Sequence, residues 1–469
     1  MTSSKTVVVV GGGVSGLTTA YRLIEADPTL DVTVLEASDA MGGKLRHVDV
    51  GGLPLPAGAD SFLARKPWAL ELCKELGLGA ELDPPGSTGS YLWTDRGIVS
   101  LQKDAPFGIP GDVGDVFRWP GLSRAGRRRA LQDLIRKKKK GGPEETLGAL
   151  LRRRLGDEAT ERSLAPLLAG LFAGDVDQLG LRATFPELER WEERQGSLIR
   201  GSQAASRDAR RAGTPGPMFL RPRGGVERLT DALAERLGEP RLQTGAPVVS
   251  LAARDDDFRV QIAGGVERTA DAIVLAPEAH VAAELLGVVA PEPAADLAGI
   301  GYASTGVVLM VYGDGTAREL PSGTGFVVPR GKAPMTASTW LSNKWPSEAF
   351  GTRAVIRCYV GGAGAEDVLD ADNGELIDAC ARHLAAIVPL PERPEHAAVV
   401  RWHRAMPQYG TGHLERVARV RATLPPGIFV TGQAYDGVGI PDCVRGAGDT
   451  AQAVIAHLSG ALTQKETVR

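Results

Sequence analysis

A chain of 469 residues, 43% apolar and 24% charged, carries enough nonpolar surface for a sizeable core in two or three domains, which excludes wholesale disorder. A formal net charge of −3 gives no global reason to expect a nucleic-acid partner. Cys73, Cys358, Cys380 and Cys443 are far apart and form no CxxC pair, and the seven histidines form no HxxxH pair, so neither a disulfide framework nor a metal site is expected. The chain enters a strand by Thr6 without a leader pattern and has no run of about 18 uncharged apolar residues, which sets the expectation of a cytoplasmic protein.

Thr6–Val10 is a continuous β-branched run, the pattern of a strand buried on both faces. Gly11 to Gly16 follow, then Leu17, Ala20, Tyr21 and Ile24 at helical spacing until Pro28. A second strand, Val32–Leu35, ends at Glu36. From about residue 70 to 215 the pattern is mostly helical, with one leucine stripe at 147, 150, 151 and 155 and another running from Leu164 to Phe172. The Gly-, Ser-, Ala- and Arg-rich stretch Gly196–Pro217 reads as a flexible crossing between domains. Strands are predicted at 247–252, 258–262 and 272–275, and a second sheet from 305–312, 325–328 and 354–360. The chain closes with strand 428–431, a Gly-rich turn and a helix from about Asp442.

This order predicts an α/β fold: a Rossmann-like domain built from 1–70, 218–290 and 410–469, a helical insertion at 71–217, and a mixed-sheet substrate domain at 291–409.

The segment Gly11-Gly12-Gly13-Val14-Ser15-Gly16 holds the dinucleotide signature GxGxxG in its required strand-to-helix context. Gly11 permits the tight turn, Gly13 lets the backbone approach a pyrophosphate, and Gly16 allows close helix–strand contact. The helix start offers free N–H groups and a positive dipole end to phosphates. Glu36 stands twenty positions after Gly16 at a strand end, where a carboxylate accepts from ribose hydroxyls. Ala37, Gly43, Lys44 and Arg46 follow, and this second glycine pair with basic residues resembles the extension by which FAD oxidases of the amine-oxidase superfamily hold the cofactor. Near the C-terminus, a strand leads through Gly437-Val438-Gly439-Ile440 into a helix whose N-terminus can stabilise negative charge on a reduced flavin. Gln433 stands where many flavoproteins place an acid.

Narrower stretches run along nearly the whole chain: Gly58-Ala59-Asp60-Ser61-Phe62, Arg154 to Glu158, Pro166 to Asp175, Met406 to Tyr409, and Gly437 to Cys443. With them the sequence resembles the oxygen-dependent protoporphyrinogen/coproporphyrinogen III oxidase family. The resemblance implies FAD, a porphyrinogen substrate and dioxygen, with six electrons removed in three two-electron cycles and peroxide formed in each. It places Gly58, Ala59, Asp60 and Ser61 beside the isoalloxazine, Val248 at the adenine, Trp402 near the flavin, and Val438 to Ile440 at the pyrimidine edge. Leu167, Gly170, Val327 and Tyr359 fall at the substrate pocket, where plain core burial is the competing reading. Arg65 and Lys66, directly after the flavin-adjacent loop, are candidates for propionate binding or proton handling; a helix-start surface pair is the alternative. Coproporphyrinogen III is favoured over protoporphyrinogen IX. A flavin amine oxidase, a desaturase and a redox-silent FAD-binding scaffold remain as rivals.

Residues 124–140 hold nine cations against Asp133. Such a run suits an anionic membrane surface, an acidic partner such as the next enzyme of the pathway, or steering of an anionic substrate; a solvated helix is the plain alternative.

Overall fold

The computed structural model describes residues 4–460 except 103–104, 139–141, 143, 212, 214–215 and 255–256. A five-stranded, all-parallel sheet runs in the order 242–243, 31–35, 6–10, 272–275, 428–430. Thr6–Val10 lies at its centre, and Val7, Val8 and Val9 are fully buried, as the unbroken β-branched run predicts. Val7 and Val9 join the core formed with the helices Val14–Ala26, Glu227–Leu237 and Ile440–Leu458. Val8 and Val10 face the other way, toward a three-stranded antiparallel sheet (248–253, 258–262, 266–270) and the helices beyond it. Burying one such side chain contributes about 1.5–3 kcal/mol, so the alternation anchors the layer on both faces.

The second sheet has seven strands in the order 396–408, 301–311, 355–361, 337–340, 325–327, 91–94, 97–100. All neighbours are antiparallel except 325–327 with 91–94. Residues 91–100 fall inside the stretch expected to be helical; instead they form a hairpin whose Leu92, fully buried, pairs with Val327. Two four-residue strands are too short for their alternation to stand out against helical spacing. The longest strand, His396–Gln408, slips register opposite Ala303–Thr305, where Arg404 adopts φ 44°.

A helical region has its own core. Leu147, Leu150, Leu151 and Leu155 are fully buried on the helix Leu147–Leu155, which the Thr146 hydroxyl caps by accepting from the Ala149 N–H at 3.1 Å. The second stripe is broken. A π-type turn at 160–164, one helical turn and a 3₁₀ turn end at Ala173, φ 46°. Leu164, Leu168 and Phe172 point inward, while Leu171 is 58% exposed.

Of the stretch expected to be a flexible crossing, residues 212 and 214–215 lie outside the described residues, while residues 198–211 instead form the fourteen-residue helix Leu198–Arg211. Its small residues serve close approach. A Cβ at Gly201 would lie 2.3 Å from Trp191, and Ser202 is buried with its hydroxyl donating to the Ile109 carbonyl at 2.6 Å. Asp133 accepts from the Ser197 hydroxyl and the Ile199 N–H, fixing the helix start.

Candidate active site

Two glycine loops meet at the end of the first strand. The Gly42 N–H donates to the Gly12 carbonyl at 2.9 Å, and a Cβ on Gly43 would sit 3.1 Å from the Gly13 Cα. Gly11 has φ 105°, and Gly16 is so close to the turn that a Cβ would fall 1.9 Å from the Gly11 carbonyl oxygen. The helix beginning at Val14 has no side-chain cap and no acid in its first turn, so the N–H groups of Val14 and Ser15 stay available to an anion.

Glu36 is fixed beside this cradle. One carboxylate oxygen accepts from the Gly12 N–H at 2.7 Å, the other from the Ser38 N–H and hydroxyl at 2.8 and 2.7 Å. The oxygen that accepts from Gly12 alone keeps a second lone pair for a ligand hydroxyl, whereas both lone pairs of the other are taken by Ser38. The Glu36 carbonyl accepts from the Ala246 N–H, which draws Val248 to the same rim. Lys44 is less free than the sequence suggests: its ammonium pairs with Glu278 at 2.7 Å. Burial would raise the Glu278 carboxyl, but Lys44 overrides this and holds it below its ordinary value. Arg46 lies over the Trp402 ring, 4.7 Å from its centroid, and the Trp402 indole N–H donates to the Ala57 carbonyl at 2.9 Å.

The loop Gly58–Ser61 is clamped by two cations that the sequence reading did not single out, Arg357 on the strand Val355–Gly361 and Lys344 at the end of the short helix Leu341–Lys344. Arg357 donates to the Gly58 carbonyl at 2.7 Å, to Asp60 at 2.9 Å and to the Tyr359 hydroxyl. Lys344 reaches Asp60 at 3.0 Å and Ser61 donates to it at 2.7 Å. Burial pushes the Asp60 carboxyl up, yet Lys344 and Arg357 together hold it far below the ordinary carboxylate range. The side chain of Asp60 is therefore spent on holding the loop, and its neighbours Gly58, Ala59 and Ser61 present the loop to the cleft.

Lys66 caps the view from the other side. Its ammonium contacts both oxygens of the nearly buried Asp442, at 2.7 and 2.6 Å, in the first turn of the C-terminal helix. That helix has no side-chain cap at Gly439, so its N-terminal N–H groups open beside Val438, Gly439 and Ile440. The Gln433 side chain is committed to the Ala405 carbonyl at 2.7 Å. The Tyr409 hydroxyl donates to the Gln433 carbonyl at 2.6 Å and accepts from the Gly437 N–H at 2.9 Å, bracing the turn.

The opposite walls follow from strand register. Val307, Tyr359, Ala337 and Val327 are successive cross-strand partners and share one sheet face. Facing them, the broken helix offers half-buried Leu167 and exposed Gly170, at which a Cβ would meet nothing within 4 Å. All these surfaces bound one continuous cleft of about 3280 Å³. Every residue expected at the site lines it except Gly12 and Gly16, which shape the turn behind the cradle.

Residues 14–455 match the model of the flavin containing amine oxidoreductases. The chain belongs to that family. Coproporphyrinogen III oxidase of Bacillus subtilis (strain 168) is 32% identical over 94% of this chain and 96% of that protein. Its namesake in Mycobacterium tuberculosis (strain ATCC 25618 / H37Rv) is 33% identical over 96% and 97%. A crystal structure from Exiguobacterium sp. 255-15, assigned by name to the protoporphyrinogen oxidases, superposes with TM-score 0.85 at 30% identity over 97% of this chain and 99% of that one. A putrescine oxidase with TM-score 0.71 and 17% identity shares the fold. This flavin oxidoreductase uses FAD, and the paired glycine loops, the uncapped helix starts and the Glu36 acceptor fit it.

The basic run divides once its contacts are read. Arg127 donates to the Trp119 carbonyl, Arg129 to the carbonyls of residues 152, 153 and 154, and Arg136 to that of Arg153. These three arginines hold the helical region together. Arg124, Arg128, Lys137 and Lys138 have no side-chain partner among the described residues, and Ile135 beside them is 83% exposed. Lys139 and Lys140 lie outside the described residues. No helix among the described residues is long and apolar enough to cross a membrane.

Proposed function

We propose that this flavin oxidoreductase oxidises coproporphyrinogen III to coproporphyrin III, consuming three dioxygen molecules and releasing three of hydrogen peroxide. The observation that carries the reading is the single cleft, in which the glycine cradle, the Gly58–Ser61 loop and an apolar slot are continuous. The names borne by the bacterial relatives support it. Bound FAD supplies two-electron acceptance from the substrate and reoxidation by dioxygen.

The chain supplies position. The N–H groups at Val14 and Ser15 take the pyrophosphate, Glu36 a ribose, and the backbone at Val248 the adenine. Gly58 to Ser61, Trp402 and Val438 to Ile440 border the isoalloxazine. Leu167, Gly170, Val327 and Tyr359 hold the flat macrocycle, which orients a ring carbon toward the flavin and keeps water out. Arg65 meets a propionate. Lys66, held by Asp442, sits at the pyrimidine edge as the site's candidate proton-handling group; a bidentate carboxylate leaves it little charge to spend on a propionate. The four unpartnered cations around Ile135 serve association with an anionic membrane or an acidic partner, not chemistry.

Anaerobic mixing of the yellow holoenzyme with each porphyrinogen tests the reading. Coproporphyrinogen III should bleach the flavin faster than protoporphyrinogen IX, and oxygen should restore the colour. Bleaching by amines alone would make it an amine oxidase, and no bleaching by any reductant of this class would leave a redox-silent scaffold. Reversing Arg124, Arg128, Lys137 and Lys138 should weaken binding to anionic vesicles, most at low salt, with turnover of free substrate intact.

A further inference from the structure

Arginine and lysine side chains line the cleft on every side, and ion pairing separates them into two groups. Lys344 and Arg357 share Asp60, Lys66 is held by Asp442, and Arg330 by Asp175 at 2.7 Å. Lys44, Arg152 and Arg162 also have carboxylate partners. Arg46 and Arg445 lie over the rings of Trp402 and Trp68. Three exposed cations differ. Among the described residues, Arg65, Arg210 and Lys332 line the cleft with no ion pair, side-chain hydrogen bond or ring contact.

These three come from separate elements: the turn before the helix Pro67–Glu75, the last turn of the helix Leu198–Arg211, and the loop joining the strands Gly325–Val327 and Ala337–Trp340. Being both exposed and cleft-lining, they stand at its mouth. Two large apolar side chains share that mouth, Leu171 at 58% and Met218 at 66% exposure. A rim of unpaired cations and bare apolar side chains is complementary to a flat apolar molecule with carboxylates on its edge. A paired cation must release its own carboxylate to take another, whereas an unpaired one gains a charge-assisted contact outright.

We propose that Arg210 and Lys332 are specificity-determining residues that, with Arg65, take substrate carboxylates at the cleft mouth; this rests on the porphyrinogen reading above, in which the carboxylates are propionates. Rim contacts are made equally in the bound and reacting states, so they set KM and leave kcat alone.

The test uses full-length FAD-loaded protein carrying Arg210→Gln, Lys332→Gln or both, with Lys138→Gln as a distant control. Steady-state kinetics with coproporphyrinogen III and protoporphyrinogen IX are run at about 20 and about 300 mM salt. Coproporphyrin III, titrated by fluorescence, reports binding without turnover. Each substitution should raise KM and the coproporphyrin dissociation constant about five-fold at low salt. The rise should be smaller at high salt and for the substrate with fewer carboxylates, and the control should match wild type. If wild type turns over coproporphyrinogen and the double variant keeps KM within about two-fold, or loses kcat instead, the proposal is overturned. If wild type oxidises neither porphyrinogen, the substrate reading fails on its own, and the coproporphyrin titration still decides the rim: weaker binding in the double variant upholds it, equal binding overturns it.

Discussion

Replacing Asp60 by asparagine isolates the clamp that holds the Gly58–Ser61 loop at the cleft. In the structure Asp60 balances two cations, Lys344 at 3.0 Å and Arg357 at 2.9 Å, with side-chain exposures of 15% and 2%. Removing one member of a buried pair costs about 3–5 kcal/mol because the remaining charge is left uncompensated. Here the cost should fall at the lower end, about 3 kcal/mol. Arg357 keeps the carbonyls of Pro56 and Gly58 and the Tyr359 hydroxyl, and Lys344 keeps the rings of Phe219 and Trp345. Equilibrium urea unfolding of the two proteins, followed by circular dichroism, measures it. The pH profile carries a second signature. The folded carboxyl lies below its ordinary 3.8, so its contribution is complete above about pH 4 and is lost as the pH falls through the folded value. The gap between wild type and Asp60→Asn should therefore be flat from neutral pH to about 4 and close below that. A variant within about 1 kcal/mol of wild type at pH 7 would refute the clamp. So would a gap that changes between pH 8 and 5.

Glu36→Ala should weaken FAD retention by about 10- to 150-fold, from loss of a charged hydrogen bond worth about 1.5–3 kcal/mol, with Glu36→Gln losing less; flavin release followed by fluorescence reports it. Gly16→Ala should cost about 3 kcal/mol or more and yield little folded flavoprotein, because its Cβ would strike the Gly11 carbonyl at 1.9 Å, while Gly170→Ala should match wild type in thermal stability. Burial lifts the Glu227 carboxyl to about 7, above its ordinary 4.5, so stability attached to its protonated form is present below about pH 4.5 and declines as the pH rises through 7. Relative to wild type, Glu227→Gln should accordingly gain on the order of 2 kcal/mol between pH 5 and 8 in denaturant unfolding. Acid precipitation should release all the flavin, since Cys443, the cleft-lining cysteine, is buried in the first turn of the C-terminal helix with its thiol directed to the Gly437 carbonyl.

Local chemistry made much of the molecule legible. A β-branched run, a glycine turn and a periodic helix interact within some thirty residues, so spacing alone specified this strand–turn–helix unit, and the structure sets the Glu36 carboxylate against the Gly12 N–H of the turn. The leucine stripe at 147–155 was equally readable because its period is set by one helix. Composition misled at 198–211, where small residues signify a helix held against Trp191 and not a loose crossing: Gly201 meets the preceding helix and Ser202 reaches Ile109, far earlier in the chain. Arg357 did leave a mark, a lone charge within the apolar strand Val355–Gly361, but its meaning depends on Asp60, 297 positions earlier. The same holds for Lys66 with Asp442 and Lys44 with Glu278, pairs that turn apparently free cations into spent ones. The sequence by itself determined which residue types stand at the cofactor cradle, because that motif is contiguous. Only the tertiary structure decided which charges are neutralised and which remain at the mouth, because electrostatic pairing depends on distance in space and not on position along the chain.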